Sequence, residues 1–175
     1  MKDKKRILLF TGNGKGKTTA ALGMALRASG HGMKTLVIQF VKSDTTTGEI
    51  VACERLTNVE IVQTGRGFIP ERTSDAFQEH CRAAREGLEM AERALSSGKY
   101  GLVILDEICT AVGKGLLDEL QVIQAVSKGS PGICTVMTGR HATAGLVSIA
   151  DTVTEMHPVK HGIAEGWEAQ KGVEY

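Results

Sequence analysis

Short apolar runs alternate along the chain with longer amphipathic stretches, and this alternation predicts parallel strands connected by helices. Six runs are predicted to be strands: residues 7–10, 36–40, 59–62, 102–105, 133–137 and 152–156. The first, second and fourth consist almost entirely of Ile, Leu, Val and Phe, and the fifth, Ile-Cys-Thr-Val-Met, is also largely apolar. Such continuous apolar runs are typical of parallel strands that helices cover on both faces.

The clearest helix is predicted over residues 74–97, where apolar side chains recur at spacings of four and three. That apolar stripe consists of Phe77, Cys81, Ala84, Leu88, Ala91 and Leu95. Charged side chains occupy the opposite face, and Gly98 is placed to end the helix. A second helix is predicted over residues 118–128, where Gly129 and Pro131 close it, and a third opens at about Lys17.

The composition fits one globular domain and narrows the possible partners. The chain has 175 residues, of which 42% are hydrophobic and 23% charged, with a net charge of +1. This balance argues against disorder, and near-neutrality argues against a general nucleic-acid or membrane-surface binder. The charged start runs into the first strand without the apolar region of a signal peptide, so we expect a cytoplasmic protein.

The cysteines do not form a recognisable metal or redox motif. Cys53, Cys81, Cys109 and Cys134 are widely spaced and include no C-x-x-C pair. We therefore expect reduced and mostly buried thiols.

A glycine-rich loop predicts phosphate binding directly after the first strand. The segment 11–19 is Thr-Gly-Asn-Gly-Lys-Gly-Lys-Thr-Thr and opens a helix at about Lys17. Its glycines let backbone N–H groups approach a polyanion, Lys17 supplies charge, and the Thr18 hydroxyl is positioned to bind Mg²⁺. The pattern G-x-x-x-x-G-K-[ST] is broken only at its first position, which is Thr11. The alternative is a glycine-rich turn that merely connects a strand to a helix.

Asp106 and Glu107 end the fourth predicted strand and form the second candidate feature. In a parallel sheet they would face the same crevice as the glycine-rich loop, where either could hold Mg²⁺ directly or through water. An acidic residue that merely caps a buried strand is the alternative. With both features, we predict a single α/β domain over residues 1–175: P-loop NTPase-like and doubly wound, with a mainly parallel sheet and helices on both faces. Residues 157–175 are expected to form a C-terminal tail that covers the active site.

A phosphate loop indicates nucleotide binding and does not fix the reaction. The chain lacks the Asn-Lys-x-Asp string of GTPases, protein-kinase signatures and a G-x-S-x-G elbow. The residues alone therefore predict an ATP-type, Mg²⁺-assisted enzyme with an unidentified second substrate.

Several strings, in this order, carry a more specific resemblance. They are the loop at 11–21, Arg27-Ala-x-Gly-His-Gly32, Val37-Ile-Gln-Phe-Val-Lys42, Gly67-Phe68, Asp106-Glu107, Thr138-Gly-Arg140, Ala150-Asp-Thr-Val-Thr-Glu-Met156, Pro158-Val-Lys-His161 and Ala169-Gln-Lys-Gly172. Together they resemble the P-loop class of ATP:corrinoid adenosyltransferases over nearly the whole chain. The combination is highly specific, although several of the strings alone are not.

The resemblance implies that a cobalt(I) corrinoid attacks the 5′ carbon of ATP and releases inorganic triphosphate, so that no protein nucleophile is needed. It also implies that the triphosphate lies in the loop in the opposite sense to other P-loop enzymes. Further implications are a homodimer and a flavoprotein that reduces the corrinoid.

The resemblance also assigns residues to roles. The ATP-binding residues would be Gly12, Asn13, Gly14, Lys15, Gly16, Lys17, Thr18, Thr19, Arg27 and Arg140. The catalytic set would be Lys17, Thr18 and Glu107, and Thr18, Asp106 and Glu107 would surround the metal. Phe68 would face the corrinoid, and packing into the protein's own core is the alternative. For Arg27, a solvated helix residue is the alternative.

Two departures from the family pattern concern the corrinoid side. The family loop Gly-Phe-Thr-Trp-Glu is Gly67-Phe-Ile-Pro-Glu71 here, so that Pro70 replaces a ring thought to help displace the lower cobalt ligand. In the tail, Ile163 and Ala164 replace the usual Phe and Asp, and Trp167 either supplies the missing ring or simply packs. Two other functions stay open at this point: a P-loop ATPase or phosphotransferase, and a non-catalytic corrinoid carrier or ATP-dependent sensor.

Overall fold

A computed structural model describes residues 4–173, except for the side chains of residues 163 and 164. Six strands form one sheet in the order β3-β2-β4-β5-β1-β6. Their bounds are β1 Arg6–Thr11, β2 Thr35–Gln39, β3 Val59–Gln63, β4 Leu102–Asp106, β5 Cys134–Thr138 and β6 Thr152–Glu155. All neighbouring strands run parallel, so their carboxyl ends share one rim.

Six α-helices and one short 3₁₀ helix connect the strands or follow them in the described part of the chain. The α-helices are α1 Lys17–Gly30, α2 Gly48–Cys53, α3 Asp75–Ser96, α4 Ile108–Lys114, α5 Glu119–Ser127 and α6 Ala144–Ile149, and the 3₁₀ helix is Gly162–Glu165. The N-cap of α3 is Ser74, whose side chain accepts a hydrogen bond from the Phe77 N–H. Asp118 caps α5 in the same way, and Gly98 follows α3 in a left-handed conformation, with φ +67°.

Helices cover the sheet on both faces because successive strand residues point in opposite directions. In β4, Val103 and Leu105 belong to the core that contains α3, α4, α5 and α6, whereas Leu102 and Ile104 belong to the core beneath α1 and α2. Every member of the apolar stripe predicted for α3 is buried. The doubly wound α/β fold predicted from the sequence is confirmed, and the sheet is wholly rather than mainly parallel.

The differences from prediction are confined to short elements. All six predicted strands are present, but β6 is an exposed edge strand. The short helices α2, α4 and α6 were not predicted.

Within residues 4–173, no helix has the length and apolar character needed to cross a membrane. The four cysteines are free thiols, three of them buried and Cys134 partly exposed.

Candidate active site

A cavity of about 650 Å³ lies along the C-terminal tail, and a second of about 510 Å³ lies over the loop that follows β1. The second cavity is at the carboxyl rim of the sheet, where a doubly wound fold places its ligands. Residues from the loop, three other rim segments and the tail line it: Asn13, Gly14, Lys15, Gly16, Lys17, Thr18, Thr19, Leu22, Lys42, Gly48, Glu49, Glu107, Arg140, His161, Gly172 and Val173. The structure therefore brings most of the predicted ATP-binding residues to one cavity.

The glycine-rich loop is packed closely against the end of β6. Gly12 has φ +92°, and a Cβ atom there would lie 2.4 Å from the Met156 carbonyl oxygen. The Gly14 N–H donates a 2.6 Å hydrogen bond to that same oxygen. Thr11, which departs from the phosphate-loop pattern, is the last residue of β1 and pairs with Glu155 of β6. The departure therefore falls in the strand and leaves the loop itself intact.

Lys17 is folded back into the loop. Its side chain is buried, and its Nζ donates hydrogen bonds to the carbonyl oxygens of Gly12 at 2.8 Å and Gly14 at 2.7 Å. Burial lowers the pKa of the Lys17 ammonium, and Arg140 lowers it further, while Glu107 and Asp106 act in the opposite direction. A desolvated ammonium group in a glycine-rich loop at the start of a helix is suited to binding a polyanion.

Thr18 and Asp106 lie in direct contact beneath the loop. The Thr18 hydroxyl donates a 2.8 Å hydrogen bond to Asp106 Oδ1, which also accepts one from the Thr138 hydroxyl at 2.8 Å. Gln39 Nε2 donates to Asp106 Oδ2 at 3.0 Å. Asp106 is 1% exposed, so its carboxylate is enclosed by these three partners.

Glu107 presents the accessible carboxylate. Its φ of +62° is unusual for a residue other than glycine, and its N–H donates to the Thr138 hydroxyl at 2.9 Å. Its side chain lines the cavity and accepts a hydrogen bond from the Thr110 hydroxyl. Unusual backbone conformations of this kind cluster at functional sites.

The donor atoms near Thr18 fit Mg²⁺. A threonine hydroxyl with one or two carboxylates is the protein share of a typical Mg²⁺ site, which phosphate oxygens and water complete. Among residues 4–173 there is no group of three or more His, Cys, Asp or Glu side chains suited to holding a metal.

Lys42 and Glu49 also line the cavity, although the sequence predicted no role for either. Lys42 Nζ lies 2.7 Å from Glu49 Oε1. Burial opposes the ionisation of Glu49, but hydrogen bonding, chiefly from Lys42, prevails and lowers the pKa of its carboxyl. Lys42 ends one of the strings that carry the family resemblance. That string did not indicate that α2 would bring Glu49 beside Lys42.

The two predicted arginines lie in different places. Arg140 follows β5 and lines the cavity, and its backbone N–H donates to the Thr110 hydroxyl at 3.2 Å. Arg27 is exposed in the last turn of α1, roughly 15 Å from Lys17 along the helix axis at 1.5 Å per residue. The structure does not bring Arg27 to the cavity, and its nucleotide contact stays a prediction.

Phe68 projects from the loop that follows β3. Its side chain is 93% exposed, which excludes the alternative that it packs into the core. The loop rests on the segment after β2, since a Cβ atom on Gly65 would lie 2.1 Å from the Val41 carbonyl carbon. Pro70, in the position of the family tryptophan, is partly exposed.

The C-terminal tail approaches the cavity from the β6 side. His161, Gly172 and Val173 line it, and Lys15 Nζ donates to the Val173 carbonyl oxygen at 3.4 Å. Trp167 is 71% exposed and lies over Gly162, where a Cβ atom would be 2.9 Å from the indole. The side chains at 163 and 164, where the sequence departs from the family, are outside the described residues.

The parallel sheet, the loop between β1 and α1, and the Thr18–Asp106 contact define a P-loop nucleotide-binding protein. The crystal structure of a KaiC-like protein from the archaeon Pyrococcus horikoshii has a similar fold. Its TM-score is 0.54 at 16% sequence identity, over 90% of this chain and 73% of that one.

Sequence comparisons give the family. The model of the ATP:corrinoid adenosyltransferases BtuR/CobO/CobP matches residues 3–175. A corrinoid adenosyltransferase of Pseudomonas aeruginosa is 41% identical over 170 residues, which are 97% of this chain and 83% of the relative. One from Escherichia coli K12 is 39% identical over 172 residues, 97% of this chain and 85% of the relative. The chain therefore belongs to the ATP:corrinoid adenosyltransferase family, and the predicted adenosyl transfer to a corrinoid is confirmed.

Proposed function

We propose that this enzyme transfers the 5′-deoxyadenosyl group of ATP to a corrinoid reduced to cobalt(I), with release of inorganic triphosphate. The cobalt electron pair forms the bond to the 5′ carbon, and the electrons of the broken carbon–oxygen bond leave on the triphosphate. The observation that carries the proposal is the buried Lys17 ammonium in a glycine-rich loop at the start of α1. A buried cation in such a loop would stabilise a departing polyanion.

We assign the triphosphate to the backbone of residues 12–16 and to Lys17, Thr19 and Arg140. The side chains of Lys17 and Arg140 carry positive charge at the cavity. Held in place before the reaction, these charges stabilise the leaving group and orient the 5′ carbon toward the corrinoid. Lys17 exchanges its hydrogen bonds to the Gly12 and Gly14 carbonyls for phosphate oxygens.

We assign Mg²⁺ to Thr18 and Glu107, with Asp106 behind Thr18. When bound, the ion supplies positive charge that offsets charge on the leaving triphosphate. Asp106 is enclosed by hydrogen bonds, so its part is to orient the Thr18 hydroxyl or to act through water. Glu107 reaches the cavity and supplies the accessible carboxylate.

We place the corrinoid against Phe68 and propose that the tail covers the reacting centre. Support for the first is the 93% exposure of this ring on a loop beside the cavity-lining segment that contains Lys42. Support for the second is that His161, Gly172 and Val173 already line the cavity. A flavoprotein reductant and a homodimer are implied by the family resemblance, and a cytoplasmic location stays a prediction from the sequence.

Incubation with ATP, Mg²⁺ and a chemically reduced corrinoid tests the reaction. Adenosylated corrinoid and inorganic triphosphate are expected in equal amounts. ADP and phosphate would indicate a phosphotransferase, and binding of both ligands without a product would indicate a carrier or sensor. Lys17→Ala should abolish most product formation, whereas Lys34→Ala, an exposed lysine at the amino end of β2, should not.

A further inference from the structure

Gln39 is a fully buried polar residue to which neither the phosphate loop nor the acidic strand end assigns a role. It is the last residue of β2 and pairs directly with Asp106 of β4 in the sheet. Its exposed fraction is 0%. A buried amide in an apolar strand is costly unless both of its ends are hydrogen-bonded.

Both ends of the Gln39 amide are satisfied, and they point to different parts of the site. Its Nε2 donates to Asp106 Oδ2 at 3.0 Å, which is the side of the carboxylate that Thr18 does not contact. Its Oε1 accepts a 2.9 Å hydrogen bond from Gln63 Nε2. Gln63 Nε2 also donates to the Asp44 carbonyl oxygen at 3.0 Å.

The backbone of Gln39 holds the start of the loop that carries Phe68. Its carbonyl oxygen accepts hydrogen bonds from the N–H groups of Thr64 at 3.0 Å and Gly65 at 3.1 Å. The Gly67 N–H donates to the Val41 carbonyl oxygen at 2.8 Å. The Phe68 loop therefore rests on the segment that follows Gln39, and the Gln63–Asp44 hydrogen bond fixes that segment.

We propose that Gln39 is a positioning residue that serves both substrates: it fixes the Asp106 carboxylate behind Thr18 and, through Gln63, the segment that supports the Phe68 loop. The proposal rests on the assignment of the metal to Thr18 and of the corrinoid to Phe68. A glutamine suits this position because it donates at one end and accepts at the other. A glutamate would place a second negative charge against Asp106, and a methionine of similar shape could make neither contact.

Three near-isosteric variants separate the effect of the Gln39–Asp106 contact from that of the Gln39–Gln63 contact. Gln39→Met removes both links, Thr138→Val removes a different partner of Asp106, and Gln63→Met removes only the link toward the Phe68 loop. Gln121→Met, on the exposed surface of α5, is the matched control. Two quantities are measured: the gain in ATP affinity on adding Mg²⁺, by calorimetry without corrinoid, and the KM for a chemically reduced corrinoid.

We expect Gln39→Met to reduce the Mg²⁺-dependent gain by about tenfold, as for the loss of one hydrogen bond to a charged group, and to raise the corrinoid KM several-fold. Thr138→Val should change only the first quantity, Gln63→Met only the second, and Gln121→Met neither. A folded Gln39→Met protein with wild-type values for both would overturn the proposal. So would a fall in kcat that accompanies lower thermal stability while both quantities stay at wild-type values.

If Gln39→Met fails to fold, Thr138→Val and Gln63→Met still test the two parts of the proposal. A wild-type corrinoid KM in Gln63→Met would overturn the link to the Phe68 loop, and a raised KM with unchanged Mg²⁺ dependence would support it. The calorimetric arm is independent of turnover. If wild-type protein forms no adenosylated corrinoid, the proposed function fails, while the Mg²⁺ dependence still tests Gln39.

Discussion

The hydroxyl of Thr18 donates a 2.8 Å hydrogen bond to Asp106 Oδ1, and this contact joins two segments that lie 88 residues apart in the sequence. Thr18 stands at the start of α1, and Asp106 at the end of β4. The buried carboxylate fixes the rotamer of the Thr18 hydroxyl, and Thr18 lines the cavity that we assign to the triphosphate. Preorganisation of this kind lowers the cost of binding a metal with its nucleotide.

We therefore expect Thr18→Val and Thr18→Ser to differ sharply. Valine keeps the shape but removes the hydroxyl, which should raise the Mg²⁺ concentration for half-maximal activity about tenfold or more and reduce stability by about 1 kcal/mol. Serine keeps the oxygen and should stay within a few-fold of wild type. Mg²⁺ titration of the initial rate is the measurement. Equal Mg²⁺ requirements for the two variants would contradict the metal assignment.

The lowered pKa of Lys17 predicts how ATP binding depends on pH. Bound triphosphate favours the ammonium form, so binding raises the Lys17 pKa from its lowered value in the free protein. Affinity should be full below that lowered pKa and should fall as the pH rises through it, with proton uptake on binding. The free energy of unfolding should instead rise with pH over the same range. The Lys17 pKa is lowered on folding, so the unfolded chain keeps the proton to a higher pH than the folded protein does.

Calorimetry in buffers of different ionisation enthalpy measures this proton uptake. Lys17→Met should remove the uptake and bind ATP weakly at every pH. If wild type and Lys17→Met took up the same number of protons, the titrating group would have to be another residue.

Glu107 offers a third prediction, directed at the metal rather than at the phosphates. Glu107→Gln keeps the size and the hydrogen bond from Thr110 but removes the negative charge beside Lys17 and Thr18. We expect a higher Mg²⁺ requirement with a smaller change in metal-free ATP affinity, because our assignment places the carboxylate on the metal and not on the phosphates. Glu86→Gln, on the exposed face of α3, is the control. Loss of metal-free ATP binding alone would argue against the metal role of Glu107.

The sequence predicted the sheet well because its central strands are short, largely apolar runs, which are typical of buried parallel strands and too short for a core helix. The helix α3 was predicted nearly to its ends because its stripe spans about five turns and because Ser74 and Gly98 mark its ends. By contrast, α2, α4 and α6 have six or seven residues each, too few for a helical period to emerge. Such helices depend on tertiary packing for their stability.

At the site, the sequence predicted the residues that carry a motif and missed those that only the fold brings in. Gln39 and Thr138 are polar residues at the ends of apolar strands, and their contacts with Asp106 follow from strand order. Nothing local indicates that β2 and β5 flank β4. For Phe68 the sequence left two readings open, and its exposure removes the core alternative.

Cys109 gives a fourth prediction. It lies two residues beyond Glu107 but is fully buried, and burial, with Glu107 nearby, raises the pKa of its thiol to about 12. At pH 8 only about one thiol in ten thousand would then be ionised, too few for a nucleophile. Cys109→Ala should keep most of the turnover, and thiol reagents should label the partly exposed Cys134 faster. A folded, ATP-binding Cys109→Ala protein without activity would refute this.

The last prediction concerns Phe68 and Pro70 on the corrinoid side. Because the Phe68 ring is 93% exposed, Phe68→Ala should change the free energy of unfolding by no more than about 0.5 kcal/mol. Phe77→Ala, in the buried stripe of α3, should lower it by about 3 to 5 kcal/mol and shows that the assay responds.

Activity should then depend on the corrinoid that is offered. Burying the Phe68 ring against the macrocycle would contribute about 1.5 to 3 kcal/mol, which can offset part of the cost of dislodging a lower axial ligand. Phe68→Ala should therefore impair cobalt(II) reduction and adenosylation of complete cobalamin far more than of cobinamide, which lacks the lower base. Since Pro70 replaces the second ring, wild type should itself favour cobinamide, and Pro70→Trp should narrow that gap. Equal losses on both corrinoids in Phe68→Ala, with wild-type stability, would leave ligand displacement by Phe68 without support.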